Sequence, residues 1–172
     1  LFEESNRWGY FPAVGFAWKV KDESFLKDSK TFSDLKLRLG YGITGQQDIS
    51  GVSNSYPYIP LFGPTSISST YFPGVNNYYA LPYNPDLTWE KTTTYNIGVD
   101  FSLFENDIVS GSFDAYQRYT TDLLSMVSAA PGQALTNEFV SNVGEMENKG
   151  LEANLTVKVV SSEDFNLAIN GN

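Results

Sequence analysis

The chain has 172 residues, and its 11 Lys and Arg against 20 Asp and Glu give a formal net charge of −9. Such an acidic balance argues against a nucleic-acid-binding surface, which needs clustered basic side chains. Because there is no histidine and no cysteine, Ser-His-Asp and Cys-His catalysis, zinc sites built on either residue, haem ligation and disulfides are excluded. No segment approaches the roughly 18 consecutive apolar residues of a membrane-spanning helix.

Apolar residues at every second position predict the first two β-strands, near residues 14–20 and 35–44. Alternation with period two places all the large apolar side chains on one face of a strand, whereas a helix would scatter them. In the second strand the apolar residues are Leu35, Leu37, Leu39, Tyr41 and Ile43. The connector between the two strands could hold a helical turn around residues 23–26.

A connector of about forty residues follows, from Gly45 to Asp86, and it carries six of the eight prolines. A loop of this length without regular structure is uncommon in a compact domain and is usually functional. We therefore expect this loop to contribute to binding.

Four more strands are predicted near residues 89–104, 108–124, 142–160 and 165–172. A three-residue loop at Glu105–Asp107 keeps the apolar faces aligned, since it pairs Leu103 with Val109 and Phe101 with Gly111. A short turn around Ser162 and Glu163 is expected to align Val159 with Phe165. Residues 125–142 form a second, intermediate connector.

Short turns at one end and long connectors at the other predict an all-β fold, an antiparallel meander of about six long strands. Such strands, apolar on one side and polar on the other, fit part of a large transmembrane β-barrel with outer loops at about 45–86 and 125–142. Six strands are fewer than the about eight of the smallest barrels. Since the chain also lacks an initial Met and stops within an alternating pattern, we expect residues 1–172 to be one segment of the wall. The alternative is a soluble, secreted β-sandwich carbohydrate-binding module, which usually has shorter strands.

Six stretches, in this order, carry a family resemblance. They are NRWGYFPA at 6–13, DLKLR to GYGITG at 34–45, NPDLTWEKT at 84–92, NIGVDF at 96–101, TTDLL at 120–124, and NVG with NKGLE at 142–152. In this order and spacing the chain resembles the SusC/RagA class of TonB-linked outer-membrane transporters, the TonB-dependent receptors, in the part of the barrel beyond the plug.

The resemblance implies energised import of glycans, or of peptides, across the outer membrane of a Gram-negative bacterium of the Bacteroidota type. The implied partners are a SusD-like surface lipoprotein, the substrate, membrane lipid, and TonB–ExbB–ExbD acting through the plug. We expect the plug and the TonB box to lie outside this segment. No nucleic acid, catalytic residue, cofactor or metal site is expected, and the chain is predicted not to be an enzyme.

Aromatic residues of the long loop are the candidate contacts with substrate or with the lipoprotein lid. Flat rings stack on sugar faces and also anchor protein interfaces. The alternative is that the rings pack the loop on itself. The candidates are Tyr56, Tyr58, Phe62, Tyr71, Phe72, Tyr78, Tyr79 and Tyr83.

Charged residues at alternating positions are predicted to face the barrel lumen, as a hydrated wall with cross-strand ion pairs. These are Arg38, Glu90, Asp100, Asp114, Arg118 and Glu152. The alternative, an acid–base pair of carboxylates, needs a spacing that the sequence does not establish. For some of the tryptophans and tyrosines near strand ends or on the apolar face we favour a role in an interface girdle, because each has an apolar body and a polar tip. They are Trp8, Trp18, Trp89, Tyr41, Tyr95 and Tyr119.

Overall fold

A computed structural model describes residues 2–49, 56–64, 72, 75, 77–132, 136–162 and 164–172. These ranges contain short 3-10 turns at Glu4–Asn6, Val20–Asp22 and Glu105–Asp107. None of the helical turns in these ranges has the length and apolar character that a bilayer-spanning helix requires. The strands are β1 (Ala13–Lys19), β2 (Phe32–Gln46), β3 (Phe62–Pro64), β4 (Tyr78–Ala80), β5 (Glu90–Leu103), β6 (Val109–Thr121), β7 (Leu124–Ser128), β8 (Glu138–Asn142), β9 (Met146–Ser161) and β10 (Asn166–Gly171).

The six strands predicted from alternation form one sheet with the order β1-β2-β5-β6-β9-β10. The predicted all-β meander is therefore confirmed. The four remaining strands form two separate hairpins, β3 with β4 and β7 with β8, within the connectors expected at 45–86 and 125–142. The turn expected around residues 23–26 is present, since the amides of Leu26 and Lys27 donate to the carbonyl of Glu23.

Apolar residues face apolar residues where β1 pairs with β2. Val14 lies opposite Tyr41 and Phe16 lies opposite Leu39, in an unbroken antiparallel register. Because directly opposed residues share a face, both strands present their large side chains on the same side. The apolar faces predicted from the sequences of β1 and β2 therefore agree with the observed pairing of the two strands.

The pairing of β9 with β10 differs from the prediction. Val159 does not align with Phe165, because the register shifts at this point and leaves Val159 without a partner. The pairs on either side of the shift are Val160–Leu167 and Lys158–Ala168. One extra residue in a strand is a β-bulge. Beyond it, Val157 lies opposite Ile169. Alternation along a single strand does not reveal such a bulge.

The β5–β6 hairpin turns through Glu105–Asp107, as predicted. Asn106 and Asp107 adopt positive φ values of 67° and 53°, a conformation that Asn and Asp tolerate better than other side chains. The ring of Phe101 lies 3.0 Å from the position of a Cβ on Gly111, in agreement with their expected pairing.

The chain divides into two compact units. The loop unit comprises 1–11, 44–92 and 120–146, and the sheet unit comprises 12–43, 93–119 and 147–172. The loop unit has a small hydrophobic core of Phe2, Ile49, Leu87 and Val140, with Trp89 and Leu124 packed against it. Among the described residues of the sheet unit there is no buried hydrophobic side chain of this kind.

Candidate functional site

An ion cluster lies on one face of the sheet unit, and we call it the Arg38 cluster: Arg38, Asp100 and Asp114. The guanidinium of Arg38 donates from Nε and Nη2 to the two oxygens of Asp100, at 2.8 Å each. Its Nη2 also donates to Oδ1 of Asp114 at 2.9 Å. The two-pronged contact with Asp100 uses the planar geometry that arginine and carboxylate share. With one cation against two carboxylates, the cluster is acidic overall.

The cluster depends on the absence of a side chain at Gly98. A Cβ at this position would collide with the carboxylate of Asp114 and would lie 2.7 Å from Nη2 of Arg38. Glycine within a strand often marks such a close approach. The glycine of the NIGVDF stretch therefore makes room for the guanidinium.

Polar side chains extend the cluster across the neighbouring strand. Ser112 donates to Asp114 at 3.2 Å, and Asn154 donates to the hydroxyl of Ser112 at 2.7 Å. Together with the Arg38 contacts, these bonds place the even-numbered residues of β2, β5, β6 and β9 on one face. Three of the residues predicted to face the lumen thus lie together, whereas the direction of that face relative to a lumen stays a prediction.

The other three residues of that prediction have different surroundings. Glu90 accepts a hydrogen bond from the amide of Leu124 at 3.2 Å. The guanidinium of Arg118 lies 5.5 Å from the ring centroid of Tyr116, within the range of a cation–π contact. Glu152 lines a cavity of about 360 Å³ next to the Arg38 cluster.

The opposite face of the sheet unit carries exposed apolar side chains. Tyr41 and Tyr95 contact with ring centroids 5.2 Å apart, and Phe101 stacks on Phe113 at 5.7 Å. The exposed side chains of this face include Val14, Phe16, Leu39, Ile97, Leu151, Leu155 and Ile169. Soluble monomers rarely expose a contiguous apolar patch of this extent, so the face requires a partner that is itself apolar.

Trp89 packs against the core of the loop unit. Its ring contacts Phe2 and Phe11 at centroid distances of 5.4 and 5.2 Å, and its indole N–H donates to the carbonyl of Arg7 at 3.2 Å. A girdle role for this tryptophan stays a prediction. Trp18 is more exposed, and its indole donates to Glu23 at 2.9 Å.

The long loop presents aromatic side chains on the hairpin of β3 and β4, which we call the aromatic hairpin. Phe62 pairs with Ala80 and Pro64 with Tyr78, so Phe62 and Tyr78 share a face of the hairpin. Their side chains are 63% and 65% exposed. Tyr79 lies on the other face, opposite Gly63. Exposed aromatic rings that share a face are of the kind that stacks on a sugar or anchors a protein.

The remaining aromatic candidates are dispersed. Tyr56, Phe72 and Tyr83 are also exposed, and Tyr58 is partly buried. Tyr71 lies outside the described residues. The backbone N–H of Asn84 donates to the carbonyl of Pro57, and this bond fixes the segment that follows the hairpin.

Sequence reasoning did not identify Asn142, which joins three backbone groups in the loop unit. Its amide group donates to the carbonyls of Thr88 and Asp122 at 2.9 and 2.8 Å, and its carbonyl oxygen accepts from the amide of Thr88 at 2.9 Å. Asn84 supports the same hairpin by donating to the carbonyl of Val140 at 3.0 Å. The NPDLTWEKT and NVG stretches therefore supply contacts that fix the β7–β8 hairpin.

A single antiparallel sheet with one polar face and one exposed apolar face is the architecture of a membrane-barrel wall. Residues 2–172 match the TonB dependent receptor-like, beta-barrel family, and the chain belongs to this family. Within it, the chain is a SusC/RagA-like barrel segment.

Individual relatives agree with this assignment. The chain is 42% identical to the TonB-dependent receptor SusC of Bacteroides thetaiotaomicron over 95% of its length, and it spans 16% of that protein. It is 34% identical to the TonB-dependent receptor P26 of Formosa agariphila over 96% of its length, again spanning 16% of the relative. The structure of the RagAB peptide transporter superposes with a TM-score of 0.82 and 29% identity, covering 98% of this chain and 18% of the transporter chain.

Proposed function

We propose that the chain is a wall segment of an outer-membrane, TonB-dependent active transporter that imports glycans or oligopeptides together with a SusD-like surface lipoprotein. The observation that carries the proposal is the exposed apolar face of the sheet unit, opposite a polar face with the Arg38 cluster. A bilayer supplies the apolar partner that this face requires, and an aqueous lumen suits the polar face. The apolar side chains of this face are exposed among the described residues, which disfavours the soluble β-sandwich alternative.

The proposed location is the outer membrane of a Gram-negative bacterium of the Bacteroidota type. The kinship with SusC and with the receptor of Formosa agariphila supports it. Energy would come from TonB–ExbB–ExbD acting through a plug elsewhere in the protein. Peptide as a substrate class is supported by the likeness to RagAB, which is described as a peptide transporter, and glycan by the SusC-like sequence. Such transport requires no catalytic residue, cofactor or metal in this segment.

Within this function, the aromatic hairpin contacts the substrate or the lipoprotein. Phe62 and Tyr78 are exposed and share one face of the hairpin, so they can stack on a sugar ring or insert between apolar side chains of a partner. The Arg38 cluster and the other polar residues line the lumen and keep it hydrated. The apolar side chains on the opposite face lie against lipid.

The test uses the full-length transporter with Phe62→Ala and Tyr78→Ala combined. We expect a lower rate of substrate uptake by cells, or weaker binding of the purified lipoprotein, while the amount of protein in the outer membrane stays unchanged. The matched control combines Trp8→Ala and Tyr10→Ala, two aromatic residues of the loop unit that are 86% and 90% exposed. Equal uptake and equal lipoprotein binding in both double variants would contradict the role of the hairpin. Absence of the full-length protein from the outer membrane would contradict the function as a whole.

A further inference from the structure

The aromatic hairpin has an open backbone edge along β4. The amide of Leu81 donates to the carbonyl of Leu61 at 2.8 Å, so these two residues form a hydrogen-bonded pair next to the hairpin strands. Hydrogen-bonded and non-hydrogen-bonded pairs alternate along an antiparallel ladder, and Ala80 and Tyr78 therefore belong to non-hydrogen-bonded pairs. Their backbone N–H and C=O groups point away from β3. No partner for these groups lies among the described residues.

The two edges of the hairpin differ in what they offer to another strand. Pro64 lies opposite Tyr78 on β3, and because proline has no backbone N–H, the β3 edge lacks a donor at this position. Proline on an edge strand discourages further pairing. The ring of Tyr79 lies toward β3, since its Cε1 is 3.4 Å from the position of a Cβ on Gly63. The β4 edge is therefore the one that presents both donors and acceptors to an added strand.

Negative charge is concentrated in the loop unit. This unit contains two basic residues, Arg7 and Lys91, and eight acidic residues, which gives it a formal charge of −6. Six of the acidic residues are exposed: Glu3, Glu4, Asp48, Asp86, Glu138 and Glu145. A surface with one predominant sign of charge raises the local concentration of oppositely charged ligands. An uncharged glycan is not attracted by this field, whereas a peptide that carries lysine or arginine is.

Resting on the proposed function, which places the hairpin in an outer loop of a glycan or oligopeptide importer, we infer that the β4 edge binds extended, cationic oligopeptides as a third strand. The peptide exchanges backbone hydrogen bonds with Tyr78 and Ala80. Its side chains alternate between the hairpin face that carries Phe62 and Tyr78 and the face that carries Tyr79. Since β4 is three residues long, the site suits a short peptide, and the acidic loop unit selects one with lysine or arginine.

The experiment measures binding of a dye-labelled hexapeptide of alternating lysine and threonine to the full-length transporter, purified with its lipoprotein, by fluorescence polarisation. We expect saturable binding that weakens as salt is added, because salt screens the attraction between charges. The same peptide with glutamine in place of lysine should bind more weakly and with little dependence on salt. Equal affinities of the lysine and glutamine peptides would overturn the preference for cationic peptides.

Backbone methylation of the peptide tests the strand pairing itself. Two further hexapeptides carry N-methyl groups, one on its lysines and the other on its threonines. In an added strand alternate N–H groups face β4, so only one of the two methylated peptides loses its bonds to the carbonyls of Tyr78 and Ala80. That peptide should bind about twentyfold more weakly, the effect of two hydrogen bonds, while the other binds as the unmethylated peptide does. Equal affinities of the two methylated peptides would overturn the inference.

A change in the protein tests the same edge. Ala80→Pro removes an outward N–H but no hydrogen bond between β3 and β4, and it should weaken peptide binding about fivefold, the effect of one hydrogen bond. Ala130→Pro makes the same substitution at an exposed position of the loop unit outside the hairpin, and it should leave the affinity unchanged. Equal affinities of the two proline variants would contradict the site. Loss of the lipoprotein from Ala80→Pro with unchanged peptide binding would also overturn the inference and would assign the edge to the lipoprotein.

Uptake by cells separates this inference from the proposed function. A transporter that takes up labelled neutral oligosaccharides but not the lysine–threonine peptide, in a manner that requires TonB, contradicts only the peptide site. A full-length protein that is absent from the outer membrane, or uptake that is unaffected by loss of TonB, contradicts the proposed function itself.

Discussion

Arg38 and Asp114 bind each other across an intervening strand, with Nη2 and Oδ1 separated by 2.9 Å. β5 lies between their strands β2 and β6, and Gly98 on β5 leaves the space through which the guanidinium reaches the carboxylate. Three strands of the sheet are thus joined by one arginine, because a single position on the middle strand has no side chain.

Gly98→Ala should therefore separate Arg38 from Asp114. We expect the full-length barrel to lose about 1–3 kcal/mol of stability, since the added methyl group overpacks the site and leaves charged groups imperfectly paired. The measurement is the urea midpoint of unfolding in lipid vesicles, followed by heat-modifiable migration on gels. Gly15→Ala is the control, because the nearest atom to its Cβ would be 4.0 Å away. Equal midpoints for the two variants would argue against the steric role of Gly98.

Asn142→Ala should loosen the β7–β8 hairpin without unfolding the barrel. Three hydrogen bonds are lost, each worth about 0.5–1.5 kcal/mol net, and the freed backbone groups of Thr88 and Asp122 need water. We expect faster amide hydrogen exchange in peptides covering 124–128 and 138–142 of the full-length protein. Ser128→Ala, a change at an exposed position of the same hairpin, should leave exchange unaltered. Unchanged exchange in Asn142→Ala would show that the hairpin is held by other contacts.

Trp89→Leu separates a core role from an interface role. Because the ring packs on Phe2 and Phe11 and its N–H is bonded to a backbone carbonyl, we expect a loss of about 2–3 kcal/mol of stability. Trp8→Leu changes a tryptophan that is 86% exposed and should stay within about 0.5 kcal/mol. Both are measured by the same urea titration. A similar small effect in the two variants would contradict the core role of Trp89.

Alternation of apolar residues predicted the six long strands and their shared faces, because a sheet with one apolar face and one polar face imposes period two on every strand. It did not predict the bulge at Val159, since an extra residue changes the pairing without changing the composition of the strand. The short hairpins within the two long connectors were also missed. Their strands of three to five residues are too short to show a period.

The sequence pattern placed Arg38, Asp100 and Asp114 on the polar face but did not reveal their mutual contacts. Those contacts depend on the register of three strands and on the gap at Gly98. The roles of Asn142 and Trp89 were not predicted either, because their partners lie far away in the chain. Both residues belong to stretches on which the family resemblance rests. The resemblance draws attention to these residues but does not show which contacts they make.

In the proposed barrel, the odd-numbered face of β5 lies in lipid and the even-numbered face in water. This arrangement is tested most directly by single spin labels on the full-length protein in vesicles, at Ile97 and Phe101 on one face and at Asn96 and Ser102 on the other. We expect oxygen, which concentrates in lipid, to broaden the spectra at 97 and 101, and a water-soluble nickel chelate to broaden those at 96 and 102. Strong broadening by the nickel chelate at 97 and 101 would show that this face lies in water and would rule out the proposed barrel wall.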